Sequence, residues 1–495
     1  PLTVTFQEPS VKDIRMLSDN IERIFSLPTL PEVRPDIAYM QQLCRICPLI
    51  FQAAIIPIFD DGIIAGIQPH EDAPGNRDGH FLLHNLYHIP QVFYTVVRNC
   101  AQSAIGWCLK NRVSDTNLHE IHTLLAQGIH NLTKVHTYQG KSTLPVLQCA
   151  HALKIPAVHL GLSIFQIGWG SKARKLERST CENDSAMGAK LAHNKGRTNA
   201  LLRMAGLPAP RQFHVHTGQE ARAAARELGW PVVIKPVDFE RGEGVQVNIN
   251  DEPRLMAAFD ATQTLTKGKA VILEKQAPGI CHRLFMHKGK LLYCVARHPI
   301  SICGDGKNTI QTLIRKENSG HHRILPWKRS PLYPEDSEAQ KQLKSLGYTF
   351  SSIPEKGTWV PLRPIEKTAW GERDENLTER VHPDNIAAAA AAARLFELEI
   401  CGVDIVSPDI TAPWYENDAI ICEMNYAPLL GGGEISRSYL PTFFTAILGG
   451  DGTIPIHVIV GGEKAFSQAR TLHQEKTCRC ALTSSTVTFL DDTEL

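Results

Sequence analysis

The sequence has no long apolar run. Its most apolar window, residues 46–59, is interrupted by Pro48 and Pro57, whereas a membrane span needs about 20 predominantly apolar residues in a row. There is no charge excess either: 52 Lys and Arg against 51 Asp and Glu give a formal net charge of +1, and no local basic run stands out. Neither nucleic acid nor an anionic membrane surface is therefore an expected partner. A P-loop is missing. Gly140-Lys141-Ser142-Thr143 ends like one, but Val occupies position 135, where the earlier glycine belongs, and this excludes a P-loop NTPase. No solenoid-type repeat is present. No signal peptide precedes Pro1 and no Met starts the chain, which reads as a trimmed start. The 13 cysteines are odd in number and scattered, and Cys149, Cys294, Cys401 and Cys422 lie in apolar surroundings. Free thiols in a reducing, cytoplasmic setting are expected. Cys44 and Cys47 are distant in sequence from Cys478 and Cys480, and Cys47 runs into a proline and an apolar segment, so a shared zinc site is disfavoured.

At 495 residues the chain has room for about two to four domains. Residues 1–138 read as an amino-terminal α/β domain. A strand opens it, and Ile14, Leu17, Ile21 and Ile24 carry helical spacing over Val11–Phe25. Strands are expected over 53–59 and 61–67 around Asp60-Asp61-Gly62, and buried helices over 81–111. His80, His84 and His88 have helical spacing, which reads as a polar helix face rather than a metal pair. Residues 139–215 read as a pre-domain with linker helices: a helix over 144–153, a strand over 157–160, a turn-rich link at 165–170 and helix over 184–205. Gly206 and Pro208 end the last of these. Residues 216–300 read as a central subdomain, and 301–495 as a carboxy-terminal subdomain. The latter contains a helix over 386–398 with seven consecutive alanines, capped by Asp384 or Asn385. Paired strands are expected over 401–406 and 419–424.

The chain is organised around residues 231–245, PVVIKPVDFERGEGV. The β-branched run Val232-Val233-Ile234 reads as a strand. It delivers Lys235, and a loop with Gly242, Glu243 and Gly244 follows. Glycines let backbone N–H groups approach phosphate oxygens, and a Lys at the strand end supplies a point charge. An ordinary hairpin with a solvated Lys is the competing reading. The late strands add acids in apolar settings. Asp404 sits in Gly402-Val403-Asp404-Ile405, and Glu423 and Asn425 are two apart, hence on one face of a strand. An Asp, a Glu and an Asn carbonyl make a hard oxygen set suited to Mg²⁺ bridging phosphates.

These motifs, taken in order, resemble an ATP-grasp ligase. They are Asn194-Lys195-x-x-Thr198; Val233-Ile234-Lys235-Pro236 with its glycine loop; Ile272-Leu273-Glu274-Lys275 with Pro278-Gly279; Arg283; Arg297; Gly304-Asp305-Gly306 before Thr309; Gly402-Val403-Asp404; and Glu423-Met424-Asn425. Within that superfamily the chain is most similar to the ATP-grasp part of cyanophycin synthetase and to the ligase part of bifunctional glutathione synthetase, over about residues 140–440. The resemblance implies an α/β (α+β) ATP-grasp fold with an additional amino-terminal α/β domain. It implies that Lys195 and Lys235 hold ATP phosphates under a lid of Gly242, Glu243 and Gly244, and that Glu274 and Lys275 line the adenine slot. Asp404, Glu423 and Asn425 would hold two Mg²⁺ ions, with Mn²⁺ as an alternative. Arg283 and Arg297 would face the reacting carboxylate, a structural ion pair being the plainer reading of both. The implied reaction joins an amino acid or short peptide to an amino acid through an acylphosphate, in specialised metabolism. The alternatives are a polymer-extending ligase and a non-catalytic ATP-binding protein. Homo-oligomers are implied by analogy.

The departures cluster at the substrate side. Asn194 stands where the family usually has Asp, and Cys281 where an acid usually precedes the Arg by two. Leu429 follows Pro428 in place of Gly, and Trp370 sits in a loop that is Ser/Gly-rich in the family. A retained ATP site with a changed substrate pair is expected. No counterpart of the Mur-ligase-like domain of cyanophycin synthetase precedes Leu495, which implies a single activation chemistry.

Overall fold

The computed structural model describes all residues except 85–88, 135–139, 238–242, 367–370, 455–460, 475–480, 485–486, 491–492 and 495. In the amino-terminal region, β1 (Leu2–Gln7), β2 (Ile63–Pro69) and β3 (Asn76–Leu82) form an antiparallel sheet in the order β1-β3-β2. Leu2, Val4 and Phe6 are buried and alternate with exposed residues, as a half-buried strand requires. Four helices pack beside it: α1 (Val11–Phe25), α2 (Pro35–Ala53), α3 (Gln91–Lys110) and α4 (Leu118–Thr133). Ser10 and Asp13 close a reciprocal capping box at the start of α1.

Three local expectations are corrected here. Residues 54–59 form no strand: α2 runs through Ala53, Ile55 is left-handed at φ +60°, and Pro57 has no N–H for a ladder. The segment from Phe81 begins as the end of β3 before α3 starts. His80 consequently lies on a strand, so the three histidines share no helix face; His88 lies outside the described residues.

Next come α5 (Thr143–Ala152) and a four-stranded antiparallel meander, β4 (Ala157–Gly161), β5 (Ile164–Ile167), β6 (Arg174–Glu177) and β7 (Thr180–Cys181). Residues 165–167 are therefore strand rather than link, with left-handed Leu162 and Ser163 making the preceding turn. Helices α6 (Ala186–His193) and α7 (Lys195–Met204) meet at Asn194, whose side chain caps α7 by accepting from Arg197 N–H at 2.9 Å.

Two antiparallel sheets follow. The first runs β10-β9-β11-β8, from β8 (Gln212–Val215), β9 (Val232–Pro236), β10 (Gln246–Ile249) and β11 (Val271–Lys275). Helices α8 (Gly218–Leu228) and α9 (Glu252–Thr266) bury its rear face with Val215, Val232, Ile234, Val271 and Leu273. The second includes β12 (Ile280–His287) and β13 (Lys290–Pro299). After β13 the chain builds a lobe with its own small core from β14 (Ser301–Cys303), α10 (Ile310–Asn318), α11 (Ser337–Ser345) and β15 (Trp359–Pro361). It then returns through β16 (Glu372–Asn376), α12 (Pro383–Leu395), β17 (Ile400–Ser407) and β18 (Ile420–Asn425), completing the order β16-β13-β12-β17-β18.

The alanine helix α12 packs on the rear of this second sheet. Ala389, Ala392 and Ala393 meet Leu284, Met286, Ala296, Val403, Ile405 and Met424 in one core. Small side chains let helix and sheet approach closely at little entropic cost. Its cap is neither Asp384 nor Asn385 but His382, which accepts from Asp384 N–H at 3.2 Å, with Pro383 at the first helical position. Asn385 is buried and donates to the carbonyls of Ile410 and Ala412. Among the described residues, no helix is long and apolar enough to cross a membrane.

Candidate active site

The first sheet supplies one wall. β9 and β11 are antiparallel, with Lys235 opposite Ile272 and Glu274 opposite Val233. Alternation puts Lys235, Ile272 and Glu274 on one face, while Ile234 and Leu273 turn into the rear core. Lys235 Nζ reaches Glu274 Oε2 at 2.7 Å, and both side chains are about nine-tenths buried, at 12% and 8% exposure. Burial works against the ammonium charge, but Glu274, with Cys422 and Glu423 adding to it, holds the pKa of Lys235 above its ordinary value. The Lys is thus charged and dry, which rules out the solvated-hairpin reading. Lys275 takes the other face: its ammonium donates to the carbonyls of Gly229 at 3.2 Å and Trp230 at 2.6 Å. Gly242 lies outside the described residues, whereas Glu243 and Gly244 form the turn into β10. Gly244 has φ +71°, and a Cβ there would lie 2.8 Å from both Pro236 and Leu265, so only glycine fits the turn.

β8 extends this wall. Gln212 pairs with Glu274 and His214 with Ile272, so both point the same way as Lys235. Between them and α7 lies a cleft of about 740 Å³ whose lining includes Asn194, Arg197, Arg203, Arg211, Gln212 and His214. Sequence reasoning passed over Gln212 and His214. The signal was the alternation of 212–215 beside the Lys235 strand, legible only once β8 is known to pair with β11.

The second sheet supplies the facing wall through its register. Arg283 on β12 stands opposite Asp404 on β17, and Asp404 opposite Glu423 on β18. The guanidinium forks onto the carboxylate, with Nε donating to Oδ1 at 2.7 Å and Nη2 to Oδ2 at 2.6 Å, and the two side chains are 18% and 4% exposed. Asn425 Nδ2 donates to Asp404 Oδ2 at 3.3 Å, leaving its carbonyl oxygen as an acceptor. Burial and neighbouring Asp404 push the pKa of Glu423 up, against the pull of Arg283, Lys195 and Lys235. Three cations from α7, β9 and β12 therefore converge on one carboxylate. Arg297 lies on β13 opposite Cys281 and Asp374, one step along the same face. The loop after Asn425 is pinned down: Leu430 N–H donates to Ser142 Oγ at 3.0 Å, Gly431 N–H to Ser436 Oγ at 2.7 Å, and Ser179 Oγ to Pro428 O at 2.5 Å. In the sequence Ser142 stands only at the end of an incomplete P-loop, and Ser179 and Ser436 carry no signal, because Ser142 and Ser179 act across more than 200 residues and Ser436 within a loop lacking a motif.

Of the sequence candidates, the structure brings together Lys195, Lys235, Glu274, Arg283, Asp404, Glu423 and Asn425. Arg297 flanks them, Glu243 and Gly244 border the lid turn, and Lys275 stands apart on the opposite face. Among the described residues no group of three or more His, Cys, Asp or Glu side chains is arranged as a metal cage. The donor set nevertheless fits a hard divalent cation. Two carboxylates oppose each other across adjacent strands, and an ionised carboxylate has about four lone-pair directions, of which at Asp404 the Arg283 fork takes two and the Asn425 amide a third.

The two walls thus set a dry Lys–Glu pair on one antiparallel sheet and an Asp–Glu–Asn set on another. The chain is a member of the ATP-grasp superfamily and resembles cyanophycin synthetase. It is 31% identical over 347 residues to cyanophycin synthetase of Geminocystis herdmanii, covering 68% of this chain and 39% of that protein. With the glutathione biosynthesis bifunctional protein GshAB of Mannheimia succiniciproducens it shares 26% identity over 258 residues, covering 50% and 33%. The solved bifunctional glutathione synthetase of Pasteurella multocida superposes with a TM-score of 0.46 at 20% identity, over 71% of this chain and 51% of that one. The chain thus spans 39% of the length of the first of these relatives. No family model matches it.

Proposed function

We propose that the protein is an ATP-dependent carboxylate–amine ligase that joins an amino acid or short peptide to an amino acid, forming ADP. The carrying observation is the convergence of Lys195, Lys235 and Arg283 on Glu423, beside Asp404 and Asn425. Lys195 and Lys235 hold the phosphate chain of ATP, and Glu243 and Gly244 close over it. Glu274 fixes Lys235 and borders the adenine slot. Asp404, Glu423 and the Asn425 carbonyl would hold two Mg²⁺ ions, which when bound neutralise charge on the transferred phosphoryl group. A substrate carboxylate oxygen attacks the γ-phosphorus, the bond to ADP breaks, and an acylphosphate forms. The amine then attacks the acyl carbon and phosphate leaves. Arg283 and Arg297 face the acyl group and stabilise its anionic tetrahedral state. A role in specialised metabolism and self-association, both supported only by analogy, complete the reading.

The test is phosphate release from MgATP against amino acids and dipeptides, singly and in pairs. Release is expected only with a matched pair, and Glu423→Gln lowers it about 100-fold or more. ATP binding with no release from any pair favours a non-catalytic nucleotide-binding protein. Products longer by more than one residue favour a polymer-extending ligase.

A further inference from the structure

Strands β16, β13, β12, β17 and β18 lie side by side in that order, and charges on their shared face run across all five. Glu423 on β18 stands opposite Asp404 on β17, and Asp404 opposite Arg283 on β12. Two residues along β12, Cys281 stands opposite Arg297 on β13, and Arg297 opposite Asp374 on β16. From β18 to β16 the face therefore reads acid, acid, arginine, arginine, acid. The first four have a part in the steps above, and Asp374 has none. Cross-strand partners point the same way, so its carboxylate faces the site. Its reach is visible at Gly433, in the loop after Asn425, where a Cβ would lie 3.1 Å from Asp374 Oδ2. Arg283 and Arg297 are half-buried and Asp374 is exposed, which puts this acid at the open rim. The residues after it serve other contacts. Glu375 turns to the opposite face and bonds His298 at 3.0 Å. Asn376 accepts from Thr378 and donates to Tyr439 OH at 3.3 Å.

The spacing suits one small ion with both charges. Strand β16 lies one strand spacing beyond β13, about 4.8 Å. In an α-amino acid the ammonium nitrogen is about 2.5 Å from the carboxylate carbon, from bond lengths and angle alone. A carboxylate held by Arg283 and Arg297 can therefore set that nitrogen one step further out, toward β16. We propose that Asp374 binds the free α-ammonium of the amino acid whose carboxylate is phosphorylated, so that the acyl donor of this ligase is an amino acid with an unblocked amine. The assignment rests on the ligase reading above and names the donor within it. The arginines take the negative end of the zwitterion and Asp374 the positive end. An ionised carboxylate has about four acceptor directions, enough for Arg297 and an ammonium together, and hydrogen bonds between two ions are the strong ones. A donor without the ammonium, such as an N-acylated amino acid or the carboxyl end of a peptide, leaves Asp374 facing a neutral group. Pairing with Asp374 also keeps the donor amine protonated and hence not a nucleophile, so it does not compete with the acceptor amine. The donor then forms the amino end of the product.

The experiment gives the full chain MgATP and hydroxylamine, a nucleophile that turns an acylphosphate into a hydroxamate and so needs no matched acceptor. The donors are the common amino acids, their N-acetyl forms and the corresponding acids lacking the amine. The parent should form hydroxamate from a free amino acid with kcat/KM about tenfold or more above both of its uncharged counterparts. Asp374→Asn should raise KM for the free donor about tenfold, change kcat little, and bring the three forms to similar kcat/KM. Glu375→Gln, on the opposite face, should keep the preference of the parent. A parent that uses an amine-free or acetylated donor as well as the free one overturns the proposal. So does Asp374→Asn that retains the parental preference, whatever its rate, since a purely structural pair with Arg297 would slow all donors alike. Loss of the preference in Glu375→Gln overturns it too, by tracing it to net charge rather than contact. No hydroxamate from any donor, free or uncharged, overturns the ligase reading itself. Far-UV circular dichroism checks the fold of each variant.

Discussion

Arg283 and Asp404 hold each other before any substrate arrives. The sequence offered two separate roles, an arginine for the acyl group and an acid for the cation, with an ion pair as the plainer alternative for the arginine. The geometry makes these one arrangement: the fork and the Asn425 amide fix the carboxylate, and Asp404 keeps one lone-pair direction past them. The pair is largely desolvated, so removing one partner leaves the other charge uncompensated. Arg283→Ala should lower stability by about 3–5 kcal/mol, read by urea denaturation, and added Mg²⁺ should restore part of it by supplying Asp404 with another cation. An unchanged midpoint would mean that water already reaches Asp404. Glu423 is complementary: burial and Asp404 raise its pKa while three cations oppose the rise, so the group is poised to gain a further positive neighbour.

Strand β18 and helix α12 show how much one element decides. The residues Ile421, Cys422, Glu423, Met424 and Asn425 point in, out, out, in and out, because a single bulge resets the alternation between Cys422 and Glu423. Without it Ile421 and Glu423 would share a face and one of them would be misplaced. Helix α12 sets the depth of the same sheet from behind. Ala389 is fully buried against it. Ala389→Leu should lift the helix and cost about 1–3 kcal/mol, with the loss visible as a lower midpoint in chemical denaturation. The surface alanine Ala387 provides the contrast, being exposed, and its replacement by Leu should cost less.

Across the molecule, several histidines are held neutral by burial. His282 is the deepest in the second sheet, at 3% exposure. Burial lowers its pKa, with the backbone at Ile405 and Ile280 pulling weakly the other way, and His122, His214, His287 and His298 shift in the same direction. The folded pKa lies below the unfolded one, so their stabilising contribution is complete above the unfolded value of about 6.5 and is lost as pH falls through the folded values. The melting temperature should drop between pH 7 and pH 5, and His282→Gln should flatten that drop. An equal slope in parent and variant would show that His282 titrates as freely folded as unfolded.

How far the sequence could be read follows from the range of each interaction. Local runs declared themselves: the β-branched strand before Lys235, the capped helix Val11–Phe25, the alanine helix and the acid-bearing strands all form where their periodicity placed them. The chemistry-bearing residues were legible too, since Lys235, Glu274, Asp404, Glu423 and Asn425 occur in short motifs. Failures arose where neighbours decide. Residues 54–59 look extended but find no partner strand, 165–167 look like a link but find one on each side, and His382 takes a cap that an Asp or Asn would ordinarily fill. Composition and motifs were sufficient for the class of fold and most of the charged groups of its site. Only the folded chain set Gln212 and His214 beside Lys235, paired Arg283 with Asp404, turned Lys275 away and bulged β18 at Cys422. Each of these depends on cross-strand register, and register is fixed by contacts between segments far apart in sequence, where no local preference reaches.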